Sequence, residues 1–472
     1  MLQYELCQPT VSRTDFSGVL GLVESNSQKW AELTTKAYSR QIGQVFTPIA
    51  MSQQLSSLLP DSELKSREPA IADPGAGTGI LSTCLAARLY EFNPTPLSIF
   101  GFETDRRVAE DFTKAWALFQ KQADHPIDHY LFGSFAEHAE TLLTTGEWPD
   151  LPKPDYITTN PPFIKLAKSS ELSQTLTKHG IAVTNIYAAF VALATCWLKD
   201  DGCLLAILPR SFASGDYFKV FRKWLGERMS VEHIMLFKSR SCFRNVLQEN
   251  ICIYMKKKTD QTRRVRITVS ENPTSTPDYD LILPASEIIT DAGWLLPRSV
   301  QDIVLLNQNR QRTETLSTLG LNFSTGKIEL HRVNGDIETP VIYARDFDAV
   351  GTMTWGETKK PRIVSADKKQ ILDLPEKGGY VGLKRISSND GENAQRLYPV
   401  WLSRDTTGYD QISIDNHVQF IHRNGEPLTQ REGEQLVNFL LSDESQAVMR
   451  SCCGTTQINR ADIEKLKFPL IV

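Results

Sequence analysis

A chain of 472 residues, 41% apolar and 23% charged, has an ordinary globular composition, and its length exceeds what one hydrophobic core usually organises, so two domains are expected. A net charge of −4 excludes a small, uniformly basic nucleic-acid module, although a larger enzyme can confine positive potential to one cleft. Eight cysteines in a chain this long do not make a disulfide framework, and the absence of a Cys-x-x-Cys pair argues against a structural zinc site.

From the N-terminus, Met1 to Gly18 lacks the apolar core of a secretory signal. Helical signals fill 26–60. Ala70-Ile71-Ala72 reads as a first strand followed by a glycine loop, and Leu81, Cys84, Leu85, Leu89 and Phe92 recur at helical spacing. Further strands are predicted at Leu97 to Phe102, Tyr130 to Phe132 and Tyr156 to Thr158, then a helix over 186–198. Cys203 to Leu208 is too short to span a bilayer and reads as a buried strand. Tyr217 to Met229 is amphipathic, and Val231 to Phe237 and Asn250 to Met255 close the alternation. Over 68–258 this is the pattern of a parallel sheet covered by helices. Residues 256–266 carry six Lys/Arg against one Asp, and 271–279 are rich in Pro, Ser and Thr, which predicts a polar connection after Lys258. From 280 onward the segments are short and mixed, without βα rhythm. Cys452-Cys453 reads as two reduced thiols at a packed helix end.

Asp73-Pro74-Gly75-Ala76-Gly77-Thr78-Gly79 follows a strand and opens a helix, a place where glycine lets a ligand approach the backbone. Glu103, at the end of the next strand, stands about two dozen residues on, where a carboxylate binds ribose hydroxyls. A dinucleotide would set its pyrophosphate on the helix N-terminus, where Asp73 repels it. An acid there suits the ammonium of S-adenosylmethionine better; a purely structural turn remains the bland alternative.

Asn160-Pro161-Pro162-Phe163 directly follows the fourth strand. Ligands of open α/β sheets bind outside the carboxyl ends of the strands, so this loop is expected to face the glycine loop. The Asn160 side-chain oxygen and the Pro161 carbonyl can both accept from one amino group. Two acceptors draw an aromatic amine towards tetrahedral geometry and localise its lone pair for attack on a methyl sulfonium. Phe163 offers a face to a base. Alone, the tetrapeptide could be a turn built from Asn and Pro; its place behind a glycine loop and an acid favours catalysis.

In this order the residues resemble the gamma-class (TaqI-like) DNA adenine-N6 methyltransferases. Gln44-Val45-Phe46-Thr47-Pro48 is similar to that class's cofactor segment, which implies cofactor contacts from Thr47 and Pro48. The resemblance extends to Asn185-Ile186-Tyr187, to Pro209-Arg210-Ser211-Phe212 and to Ser241-Cys242-Phe243-Arg244-Asn245-Val246, where Phe243 is implied to stack on a flipped adenine. Gly379 to Ser387 and Gly454 to Asn459 resemble BsuBI/PstI-type restriction-modification methylases. The implied fold is a class I methyltransferase, Rossmann-like with a mostly parallel seven-stranded sheet, joined to a mixed α/β target-recognition domain. The implied division is 1–40 extension, 41–260 catalytic, 261–472 recognition. Where the family commonly has an acid for the cofactor adenine, Gly133-Ser134-Phe135 stands here, leaving Ser134 as a weaker acceptor and Phe135 as a packing face. The cofactor set is thus Thr47, Pro48, Asp73, Gly75, Gly77, Glu103, Ser134, Phe135 and Asn160.

The implied activity is methylation of a flipped adenine in a short duplex target, in a restriction-modification or related defence system. Implied partners are double-stranded DNA and a cognate restriction endonuclease, with the enzyme a monomer or dimer in the prokaryotic cytoplasm, near the nucleoid, and not on a membrane. Lys256, Lys257, Lys258, Lys384 and Arg385 are candidate DNA contacts. His417, His422 and Arg423 are equally compatible with a solvated surface. Asp348 with Glu357-Thr358-Lys359 has a nuclease-like flavour that chance spacing explains better, so no metal is expected. Rival readings are an amino-methyltransferase acting on RNA or a protein glutamine, and a catalytically silent DNA-binding subunit.

Overall fold

The strand that precedes the glycine loop, β1 (Ala70–Pro74), is buried at every position, as a central parallel strand covered on both faces must be. Around it stand β2 (Leu97–Phe102), β3 (Ile127–Phe132), β4 (Tyr156–Thr159), β5 (Cys203–Pro209), β6 (Met229–Phe237), β7 (Asn250–Lys257) and β8 (Arg264–Ser270). The computed structural model describes residues 14–35, 37, 42–64, 66–243, 248–258, 263–290, 293–391 and 394–471. Among these residues the sheet has nine strands in the order β3-β2-β1-β4-β5-β7-β6-β8-β9, the last being β9 (Pro277–Pro284). Strands β1 to β5 are parallel, and β7 is antiparallel to both neighbours. The seven-stranded, mostly parallel class I methyltransferase sheet expected from the sequence is therefore present. Strand β8 extends it by pairing parallel to β6, and its buried Val265, Ile267 and Val269 explain why.

The chain forms two compact units. The first draws on Met1–Pro209, Val220–Thr276 and Ile282–Ala285, and the second on Arg210–Lys219, Pro277–Leu281 and Ser286–Val472. In the first, the helix Ser17–Leu33 buries Val19 and Val23, which join Leu85, Tyr90 and Phe119 in one core. Helices Ile49–Ser57, Ile80–Phe92 and Arg106–Gln122 follow. The last is the most clearly amphipathic of these, burying Val108, Phe112, Ala115, Trp116 and Phe119 along one stripe.

The second unit contains two four-stranded sheets. One joins Asn322–Thr325, Val418–His422, Gly379–Lys384 and Pro399–Ser403; the other joins Ile363–Ala366, Ile337–Ile342, Gln411–Ile414 and Ile371–Asp373. Helices Gln430–Leu441 and Asp443–Cys452 pack with the first sheet around Leu436, Leu440 and Met449. The Cys452 and Cys453 thiols are both buried. Asp348 closes a turn, accepting from the Val350 and Thr352 amides at 3.0 and 2.7 Å. Among the described residues no helix is long and apolar enough to cross a membrane.

Candidate active site

The parallel strands end together at one pole of the sheet, and the loops that leave them enclose a cavity of about 520 Å³, inside the roughly 300–1,000 Å³ typical of small-molecule pockets. It is lined by the glycine loop (Gly75, Gly77), the end of β2 and the turn after it (Glu103 to Arg107), Ser134 and Phe135 after β3, and Asn160 and Pro162 after β4. The segment Ile42 to Phe46 closes another side. The glycine loop and the Asn-Pro-Pro-Phe loop thus face one space, as their positions after neighbouring strands dictate.

Local chemistry explains the loop. Gly75, Gly77 and Gly79 all adopt positive φ, of 81°, 54° and 81°, which other residues adopt with strain. The Gly77 amide donates to Glu103 Oε2 at 3.0 Å and the Asp105 amide to Oε1 at 2.7 Å. Burial raises the Glu103 pKa, opposed by these amide bonds. A carboxylate has about four acceptor positions, so Glu103 keeps capacity for a ligand hydroxyl. Asp73 is fully buried and does not line the cavity. Its Oδ2 accepts from the Ser82 amide at 3.2 Å, while Oδ1 is buried without a partner. Burial pushes its pKa up to about 7.

Asn160 is held by its nitrogen. Nδ2 donates to Thr47 Oγ1 at 2.9 Å and reaches the Val45 carbonyl at 3.4 Å. Oδ1 is buried and has no hydrogen-bond partner, an acceptor whose orphaning carries a cost unless something donates to it. Phe163 packs on the core and meets Tyr187 edge to face at 6.0 Å. Gly43, at φ 70°, fits where a Cβ would lie 3.0 Å from the Phe163 amide nitrogen and 3.1 Å from Pro162 Cβ.

Of the residues predicted to hold a cofactor, Gly75, Gly77, Glu103, Ser134, Phe135 and Asn160 line the cavity; Thr47, Pro48 and Asp73 do not. Ser134 Oγ accepts from the Ala136 amide at 3.2 Å, and Phe135 stacks against Trp148 at 5.7 Å. Phe243 is 2% exposed and lies in the core with Phe237 and Met51, so its ring faces are already covered here. The rest of its predicted segment, 244–246, falls outside the described residues.

The basic candidates are elsewhere. Because β7 runs antiparallel, Lys256 pairs in register with Cys203 at the start of β5, the pole of the sheet opposite the cavity. There Lys256 meets Glu63 at 2.8 Å and Lys258 meets Glu232 at 2.7 Å, while Lys257 donates to the Leu198 carbonyl at 2.6 Å. Each of these ammoniums, expected as a DNA contact, therefore has a partner within the first unit. In the second unit, Lys384 sits 4.3 Å from the Tyr398 ring centroid, and Arg385 donates to the Asn416 carbonyl at 3.0 Å.

Residues not singled out from the sequence are Ile42, Gly43, Arg107 and Phe190, which line the cavity, and Ser27, whose hydroxyl donates to the Thr47 carbonyl at 2.7 Å. An isolated glycine just ahead of the Gln44–Pro48 segment was the available signal for Gly43; nothing in the sequence pointed to Ser27.

Residues 111–243 match the Eco57I restriction-modification methylase family. The type II methyltransferase M.BsuBI of Bacillus subtilis is 27% identical over 91% of this chain and 88% of the relative. M.PstI of Providencia stuartii is 27% identical over 95% of this chain and 91% of the relative. The chain resembles type II methyltransferases almost end to end. In fold, it is similar to the type IIL restriction-modification enzyme MmeI, solved in complex with DNA, with a TM-score of 0.53 at 12% identity over 97% of this chain and 68% of that one. That resemblance takes in both units, so the second is part of the shared architecture.

Proposed function

We propose that this protein is a site-specific DNA methyltransferase of a restriction-modification or related defence system, acting on the exocyclic amine of adenine in duplex DNA, with S-adenosylmethionine as methyl donor. Bound in the cavity, S-adenosylmethionine supplies an electrophilic methyl group on a sulfonium. The residues fit such a group: the positive-φ glycines Gly75 and Gly77 admit close backbone approach, Glu103 keeps acceptor capacity for hydroxyls, and the buried Asp73 carboxyl precedes the loop with Oδ1 unpartnered. Ser134 and Phe135 flank the subsite assigned to the cofactor's base.

The observation that carries the reading is the buried, unpartnered Asn160 Oδ1 at the end of β4, beside the cavity. This oxygen and the Pro161 carbonyl accept the two hydrogens of one amino group. That pulls the nitrogen lone pair out of conjugation as charge develops on it, which is transition-state stabilisation by preorganised acceptors. Pro162 makes the loop stiff, because its ring fixes φ. Phe163 supplies the stacking face for the extruded base, at an unstacking cost of about a few kcal/mol met by protein–DNA contacts. Phe243 takes part only if its segment swings out of the core. The first unit performs the chemistry, and the second, mainly Ser286–Val472, reads the target, with Lys384 and Arg385 as candidate phosphate contacts; the boundary expected at 260/261 moves, because Val220–Thr276 belongs to the first unit and Arg210–Lys219 to the second.

Long-read sequencing of host DNA with and without the gene tests the reading. A methylated-adenine motif that depends on the gene is the expected result, and no gene-dependent mark on DNA overturns it. The Asn160→Ala variant is expected to bind the cofactor normally and lose turnover.

A further inference from the structure

Thr47 is buried and does not line the cavity, yet it is the nearer of the two partners that hold the Asn160 amide. A backbone carbonyl can only accept, so the Val45 oxygen requires the amide nitrogen on that side. The hydroxyl at 2.9 Å then takes the second N–H. With both amide hydrogens turned towards 45–47, the oxygen is left pointing away from the segment, and that oxygen is the one without a partner. Thr47 is itself fixed. The Ser27 hydroxyl donates to its carbonyl at 2.7 Å, and on the preceding residue the Phe46 ring stacks on Trp30 at 6.4 Å with an interplanar angle of 24°. The helix Ser17–Leu33 therefore anchors the segment, and the segment orients the amide.

The orientation decides the chemistry. An amide turned over by 180° presents N–H donors, and an incoming amine then meets donors where it needs an acceptor. We propose that Thr47 is a positioning residue that locks the Asn160 amide with its oxygen available to the substrate amine, rather than a contact of the cofactor. This rests on the catalytic role of Asn160 proposed above and deepens it. Asn160 touches the amine; Thr47 acts only through Asn160.

Thr47→Val keeps the shape and removes the acceptor, leaving the nitrogen only the 3.4 Å contact to Val45. Steady-state kinetics on a DNA substrate are expected to show kcat lowered by about tenfold to a hundredfold, the scale of a misplaced reacting group, with KM for S-adenosylmethionine within about twofold of the parent. Thr47→Ser, which retains the hydroxyl, is expected to restore most of the rate. The double variant Thr47→Val/Asn160→Ala is expected to be no slower than Asn160→Ala alone, since the two act as one unit. Should Thr47→Val not fold, as judged by its thermal melt, Thr47→Ala against Thr47→Ser carries the same contrast. A Thr47→Val enzyme with parental kcat, or one whose loss is confined to KM for S-adenosylmethionine, overturns the proposal. An Asn160→Ala enzyme that methylates normally removes the catalytic assignment itself and the proposal with it, a result distinct from a silent Thr47 variant.

Discussion

The Thr159 hydroxyl donates to the Pro74 carbonyl at 2.6 Å, both groups buried. Thr159 is the last residue of β4, immediately before Asn160, and Pro74 is the last of β1, immediately before the glycine loop. The two strands pair in register through Ile71–Tyr156 and Ala72–Ile157, and this side-chain bond continues the pairing where the backbone ladder stops. Replacing Thr159 with Val leaves the Pro74 carbonyl buried without its donor, at a cost of about 1–3 kcal/mol. Thermal or urea unfolding of Thr159→Val is expected to show that loss together with weaker cofactor binding by calorimetry; unchanged affinity would mean that the two loops keep their spacing without it.

Asp73 makes stability depend on pH. Its folded pKa is raised by burial to about 7 from an ordinary 3.8. Between those values the folded protein holds a proton that the unfolded chain has released, so the unfolded state binds fewer protons and stability falls as pH rises. The contribution is full below about pH 4 and is lost as pH climbs through about 7. Asp73→Asn keeps an acceptor for the Ser82 amide and removes the titration. Urea midpoints measured from pH 5 to 8 are expected to decline more steeply for the parent than for the variant. Parallel curves would assign the slope to other groups.

The run Lys256-Lys257-Lys258 is basic in sequence but paired within the fold. Six basic residues within 256–266 read as a nucleic-acid footprint or a linker, but the reversal of β7 puts 256–257 beside the start of β5 and opposite the cavity. The triple substitution to Gln is expected to leave DNA affinity and its salt dependence unchanged, because no phosphate contact is lost. Lys256→Gln alone is expected to cost up to about 1 kcal/mol for its largely buried pair with Glu63. A shallower salt slope would restore these lysines to the DNA interface.

Strand periodicity was legible wherever a strand is central. Leu97–Phe102 and the Cys203 strand were readable because a doubly covered parallel strand is apolar throughout. The third strand was recognised only over Tyr130 to Phe132, because Asp128 and His129 interrupt its apolar run, although it begins at Ile127. The linker expected after Lys258 gave way to β8, whose apolar residues are separated by arginines at 264 and 266. In the site, residues that meet the cavity through special backbone geometry or a loop motif were readable: Gly75, Gly77, Glu103, Asn160. Ser27 was not, because its hydroxyl meets the Thr47 carbonyl only when its helix is brought alongside, and Thr47, expected as a cofactor contact, does not line the cavity.

In the second unit, Arg362 grips Asp346 with two nitrogens, each 2.7 Å from a carboxylate oxygen, and the Asp346 side chain is fully buried. The same carboxylate accepts from the Tyr343 and Gly356 amides at 2.8 and 3.2 Å. Arg362→Ala strands a charge that cannot reach water, and the expected destabilisation is about 3–5 kcal/mol. Limited proteolysis and thermal unfolding are the measurements, and a loss below about 1 kcal/mol would show that the amides alone suffice for Asp346.

A side chain in place of Gly43 would meet Ile164 Cγ2, the Phe163 amide nitrogen and Pro162 Cβ at 2.8, 3.0 and 3.1 Å, so any larger residue there displaces either the strip that borders the cavity at 42–46 or the proline loop packed against it. On the reading proposed above, one methyl group at this position would disturb the berth of the donor and the loop meant for the acceptor together.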